Sequence, residues 1–310
     1  MSTKRSTLLK ILLLASIVFS ISVYLSTKNK EGQPGQIFFG AKNLFPKKQI
    51  DNTKVEAIFK NEIPNLPGRW AIIVKDLKIG KIYSFNDQEV FPAASLYKLA
   101  VMWTAFDAIE KGILKKDEIL SEDQITLDKL IAGNENFSSD NQTSATQKVV
   151  VSYTVENAIQ AMITISDNYS ALLLAQYLGW KNINDLMKSE GIGPIDLINE
   201  DAPTITASAA FTLLERIYRN TAVSPQASEE MKKILYAQQI NDRIPKYLPT
   251  NVRVGHKTGE LDRYRHDVGI VLGKKSHYIF IFLTDADKPG ETSEVIATLS
   301  KRIFDALEGK

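Results

Sequence analysis

The chain has 310 residues, 44% hydrophobic and 24% charged, with 16 Gly and 11 Pro; it is too apolar for a disordered polymer and far from a collagen or linker composition. Lys plus Arg number 38 against 36 Asp plus Glu, so a net charge of +2 gives no field to draw it onto nucleic acid. Zero cysteines exclude disulfide scaffolds, thiol nucleophiles and Cys-ligated metals, and three histidines without HExxH leave no histidine-rich metal site to expect.

In chain order, Lys4, Arg5 and Lys10 precede an uncharged run over 11–27, closed by Lys28 and Lys30. Seventeen residues at about 1.5 Å each reach roughly 25 Å, the short end of a bilayer span. Residues 1–30 are predicted to be an uncleaved signal-anchor, with a cleaved signal peptide as the alternative. Either way the bulk of the chain is expected on the outer face of the cytoplasmic membrane, or secreted if the segment is cut. Residues 31–51 mix charge, Gly and Pro without a period and read as a linker. A domain over 52–310 follows.

That domain opens with a short amphipathic helix near 52, then strands at 69–75 and 81–86 joined by a turn containing Gly80. Residues 95–112 form a helix apolar on most sides, which belongs in the middle of a protein. The stretch 120–150 is polar and predicts no clear element. Helical patterns return at 154–164, 170–178, 183–189, 207–219 and 225–237. Strands follow at 253–258, 268–272 and 277–283, with a closing helix at 294–307. Two early strands and three late ones predict one sheet assembled from both ends of the domain. The sheet lobe is expected over about 52–94 and 205–310, and a helical lobe over about 95–204.

Three short motifs stand in order: Ser95-Leu96-Tyr97-Lys98, Ser166-Asp167-Asn168 and Lys257-Thr258-Gly259. Singly they are weak, and a second Ser-Asp-Asn occurs at Ser139. That copy lies in a polar tract, whereas Ser166 lies between two helical patterns. Placement makes the set specific: the first motif opens a buried helix, the second joins two helices, and the third ends an apolar strand. A serine hydroxyl needs a neighbouring base to become a nucleophile at neutral pH. On a helix, i and i+3 share a face, so Lys98 can present its amine to the Ser95 oxygen. Desolvation in a buried helix lowers the lysine pKa and frees the amine to act as that base. Arg265, His266 and Asp267 read instead as a solvated strand start.

With these motifs, and with FPAASLYKLAV, YTVENAIQAMITISDN and DRIPKYLP…GHKTGEL…HDVGIVLG around them, the chain resembles the class A β-lactamase-like family of penicillin-recognising serine hydrolases over about 52–308. The resemblance implies an α+β fold, with an antiparallel sheet flanked by helices packed against an all-helical lobe and the site between them. It implies Ser95 as nucleophile, Lys98 as base, Ser166 as proton relay to the leaving nitrogen and Lys257 as a fixed cation nearby. Asn168 is expected to hold a substrate amide or orient Lys98, and Thr258 to donate a hydroxyl. Gly259 is expected to let the strand approach the ligand, and the backbone amides of Ser95 and Glu260 to form the oxyanion hole. Arg243 matches a position that can offer a guanidinium to the substrate carboxylate. No metal or organic cofactor is implied. The expected partners are a small-molecule β-lactam or a peptidoglycan peptide, and the protein is expected to be a monomer.

One departure stands out. Class A β-lactamases carry a glutamate in an ExxLN motif between the second and third motifs, and it activates the deacylating water. Here that stretch reads GIGPIDLINEDAPTITASAA, without the motif, leaving Glu200 or Asp201 as the substitutes to consider. Acylation of Ser95 is therefore expected, with slow hydrolysis. A D,D-peptidase and a sensor that is acylated once are the rival readings.

Overall fold

The computed structural model describes residues 53–132, 149–199 and 202–309. The signal-anchor and linker, the second Ser-Asp-Asn at Ser139, and Glu200 with Asp201 lie outside the described residues.

The principal sheet is antiparallel throughout, with strands β1 (Arg69–Asp76), β2 (Ile82–Phe85), β8 (Arg253–Leu261), β9 (Tyr264–Leu272) and β10 (His277–Asp285) in the order β2-β1-β10-β9-β8. Chain ends meet in its centre, where Ile73 of β1 faces Ile281 of β10. Both strands are continuously apolar and buried through their middles, over 70–74 and 278–283, because both faces of the sheet are covered. Trp70, Ile72 and Val74 join Phe280 and Phe282 in a core completed by Ile296, Ile303 and Phe304 of the C-terminal helix α9 (Pro289–Glu308). Val55 and Ile58 of α1 (Thr53–Asn61) enter the same core. Ala71, Ile73, Ile279, Ile281 and Leu283 point to the opposite face, into the larger core shared with Leu213, Leu214 and Ile217 of α7 (Ala207–Tyr218). Each fully buried Ile, Leu or Phe contributes about 1.5–3 kcal/mol relative to an exposed one.

The helical part is built around α2 (Tyr97–Glu110), whose residues Lys98–Phe106 are all buried, as its all-round apolar pattern requires. It packs against α4 (Val155–Thr164), α5 (Asn168–Leu178), α6 (Trp180–Ser189) and α8 (Pro225–Leu235). Helix α8 also packs on β8, so it bridges helices and sheet. Thr154, Thr206 and Ser224 cap α4, α7 and α8 by accepting a backbone N–H three residues on.

Short elements escaped the sequence reading. In the polar stretch 120–150, β4 (Ile119–Asp123) pairs with β5 (Val150–Thr154), and α3 (Gln124–Ala132) follows β4. Near the first motif, β3 (Val90–Pro92) pairs with β7 (Thr204–Thr206), which pairs in turn with β6 (Ile195–Asp196). Strands of two to five residues carry too little periodicity to identify alone; pairing across the fold creates them. Among the described residues, no helix is long and apolar enough to cross a membrane.

Candidate active site

The first motif sits at a change of helix type. Residues Ala94–Leu96 form a 3-10 turn, and α2 begins only at Tyr97, two residues later than expected. Ala94 has φ of +45°, in the left-handed region, so the chain reverses sharply to present Ser95. This turn packs against β8, the edge strand carrying the third motif.

The second motif divides its labour. Asp167 is the N-cap of α5, its carboxylate accepting from Ser170 N at 2.7 Å. Ser166 is left-handed, at φ +58°, which turns both its carbonyl and its hydroxyl towards the lysines. Lys98 donates to Ser166 O at 2.7 Å and to Asn168 Oδ1 at 2.7 Å, with Ser166 Oγ at 3.4 Å. Lys257 donates to Ser166 Oγ at 2.8 Å and to Thr258 O at 2.7 Å. Two buried amines from separate lobes thus converge on one serine. Ser95 Oγ is not among the hydrogen-bond partners of Lys98. The i, i+3 argument assumed α-helix at both positions, and Ser95 lies in the preceding 3-10 turn.

Burial pushes Lys98 down to about 8, against the opposing pull of the Asp167 charge. Lys257 is driven well below the ordinary lysine range, first by burial and then by the charge of Lys98. Burial and the neighbouring Lys98 charge thus both oppose the cation expected at Lys257. Lys98 thus has three acceptors within reach and Lys257 two, so each amine is held by partners in the interior.

Gly259 is also needed inside the protein. A Cβ there would lie 3.1 Å from His266 Cδ2 and 3.3 Å from Leu96 Cγ. The glycine lets β8 approach the Ser95 turn as well as β9. Thr258 is buried beside it, across from Asp267. Arg243 is completely buried; its Nε donates to Ser293 Oγ at 3.2 Å, and its guanidinium pairs with the Glu260 carboxylate.

His266 and Asp267 correct the sequence reading, because both are fully buried. His266 Nε2 lies 2.9 Å from Pro92 O, and Thr284 N donates to its Nδ1 at 3.1 Å. Those partners require the neutral imidazole with its proton on Nε2, and burial holds the group down at about 4. His266 thereby pins to the sheet the residue three before Ser95. Asp267 Oδ2 accepts from Ile244 N at 2.9 Å, and its Oδ1 lies 2.8 Å from His256 Nδ1. His256 Nε2 in turn lies 3.2 Å from Asn241 Oδ1, so this buried pair braces the segment carrying Arg243. These residues flank an apolar strand on which every side chain from His266 to Val271 is buried, and that run was the available signal.

At the end of β6, before the loop to β7, Asp196 Oδ1 accepts from Ile198 N at 3.1 Å. Pro203 O accepts from Ala93 N at 2.6 Å, tying this loop to the Ser95 turn. Among the described residues, no cluster of His, Asp and Glu could hold a metal ion.

Residues 53–307 match the model of the beta-lactamase enzyme family. A beta-lactamase of Bacteroides uniformis is 26% identical over 262 residues, covering 74% of this chain and 83% of that protein. A beta-lactamase structure from Sphaerobacter thermophilus superposes with a TM-score of 0.71 at 19% identity, covering 84% of this chain and 99% of that one. PBP-A, solved as a mutant in an acyl-enzyme complex with penicillin G, gives 0.71 at 21% identity, covering 86% and 100%.

Proposed function

The chain belongs to the beta-lactamase enzyme family in its class A-like branch, and from that premise we propose that it is an exported serine hydrolase acylated at Ser95 by β-lactams. The convergence of Lys98, three residues after Ser95, and Lys257 on Ser166 is the observation that carries this reading.

In the proposed sequence, the neutral Lys98 amine removes the Ser95 proton. Ser95 Oγ then forms a bond to the lactam carbonyl carbon, and the backbone amides of Ser95 and Glu260 take the oxyanion. As the C–N bond breaks, Ser166 gives its proton to the leaving nitrogen. Ser166 recovers a proton from the ammonium formed at Lys98, through the hydrogen bonds that link it to both amines. Asn168 orients Lys98, and Thr258 with Arg243 receives the substrate's acidic group.

Water must finally cleave the acyl-enzyme. The stretch between the second and third motifs lacks ExxLN, which supports slow hydrolysis unless Glu200 or Asp201 activates the water. The same feature favours a second reading, a D,D-peptidase that releases D-Ala and is inhibited by penicillin. Export rests on the apolar run at 11–27, as does tethering to the outer face of the cytoplasmic membrane.

The test is covalent labelling with a fluorescent penicillin, followed over time by mass spectrometry. The wild type acquires one adduct, lost slowly, and Ser95→Ala acquires none. Equal labelling of the two proteins removes Ser95 from the mechanism. Release of D-Ala from a peptide faster than turnover of a chromogenic cephalosporin selects the peptidase.

A further inference from the structure

Beside the two lysines, the cleft holds a guanidinium whose charge is already answered. Arg243 is locked in place: its side chain is 1% exposed, Nε is bound to Ser293, and the next backbone amide is held by Asp267. The Glu260 carboxylate that meets its guanidinium is 50% exposed and hangs from the end of an edge strand. One partner is fixed and the other can swing into solvent. Arg243 also has spare donor capacity, since its buried Nη1 has no hydrogen-bond partner and Asp242 Oδ1 stands 3.5 Å away. Glu260 directly follows Lys257-Thr258-Gly259, so the pair flanks the place where an acyl donor must lie along β8.

We propose that the Glu260 carboxylate is a built-in competitor for the substrate's own carboxylate: it occupies the Arg243 guanidinium and must be displaced when an acidic acyl donor binds. Glu260 is then a specificity-determining residue. It weakens selection for acidic donors over neutral ones while leaving the guanidinium prepared for either anion. The exchange replaces one charge-assisted hydrogen bond by another, so its net effect is modest. This rests on the same cleft being the acyl-transfer site.

The experiment measures binding apart from bond formation. In a Ser95→Ala background, calorimetry compares benzylpenicillin with its methyl ester, in proteins carrying Glu260 or Glu260→Gln. The neutral side chain keeps the size of glutamate and the backbone amide, and releases the guanidinium. The ratio of ester Kd to acid Kd is expected to rise about fivefold to tenfold in Glu260→Gln. A ratio unchanged within about twofold overturns the proposal, and so does the absence of measurable binding in both proteins. Thermal melting checks that Glu260→Gln folds; if it does not, Glu260→Ala reads the same ratio. The protein with Ser95 restored is then treated with both compounds. A shifted binding ratio without a covalent adduct refutes the acyl-transfer reading and leaves the competitor standing.

Discussion

The protonation of Lys98 offers the sharpest test of how this cleft works. Desolvation brings its amine to about 8 from the ordinary 10.5, roughly 3 kcal/mol against the ammonium. If the neutral amine is the base, about one tenth of the protein is competent at pH 7 and half at pH 8. The second-order acylation constant should therefore rise about fivefold between pH 7 and 8, then level off above about 9. Stopped-flow acylation with a chromogenic cephalosporin from pH 6 to 9.5 gives this profile. Asp167→Asn sharpens the test, because asparagine caps a helix as well as aspartate does. The substitution removes the charge that holds Lys98 up, so the acid limb should move to lower pH while the fold persists. A profile still climbing tenfold per pH unit beyond 9, or an acid limb that ignores Asp167→Asn, refutes the assignment of Lys98 as base.

Three further outcomes follow from the geometry. Ser166→Ala removes the hydroxyl that both amines approach, and acylation measured by fluorescent-penicillin labelling should fall by about a hundredfold or more, with melting nearly unchanged. Gly259→Ala forces a methyl against His266 and Leu96; it should cost about 1–3 kcal/mol in urea unfolding and slow acylation by moving the Ser95 turn. His266 is held at about 4 when folded against 6.5 when unfolded, so the unfolded chain binds more protons between those values. Its contribution is complete above pH 6.5 and is lost as pH falls towards 4, about 3 kcal/mol in all, and His266→Gln should flatten that part of the stability curve relative to wild type.

Much of this protein could be read from residue order. The strands expected at 69–75 and 277–283 form, and they pair at the centre of the sheet. The helix expected over 95–112, apolar on most sides through Phe106, signalled a central element, and helices surround it on several sides. Periodicity and burial are local consequences of which side chains avoid water, so a linear string records them. The three motifs were also legible as an ordered set, and folding brings Lys98, Ser166 and Lys257 into contact.

What folding decided was the exchange of partners over long separations in sequence. Lys257 and Ser166 are 91 residues apart, and their 2.8 Å bond exists only because the sheet edge meets the helical lobe. Burial lowers both lysines and the charge of Lys98 lowers Lys257 further; both effects depend on that meeting and on exclusion of water, neither of which is a property of a lysine in a string. His266 and Asp267 looked like surface residues because they are polar. Pro92, Thr284, His256 and Ile244 satisfy them in the interior, and a buried polar side chain is stable only when such partners arrive from elsewhere in the fold.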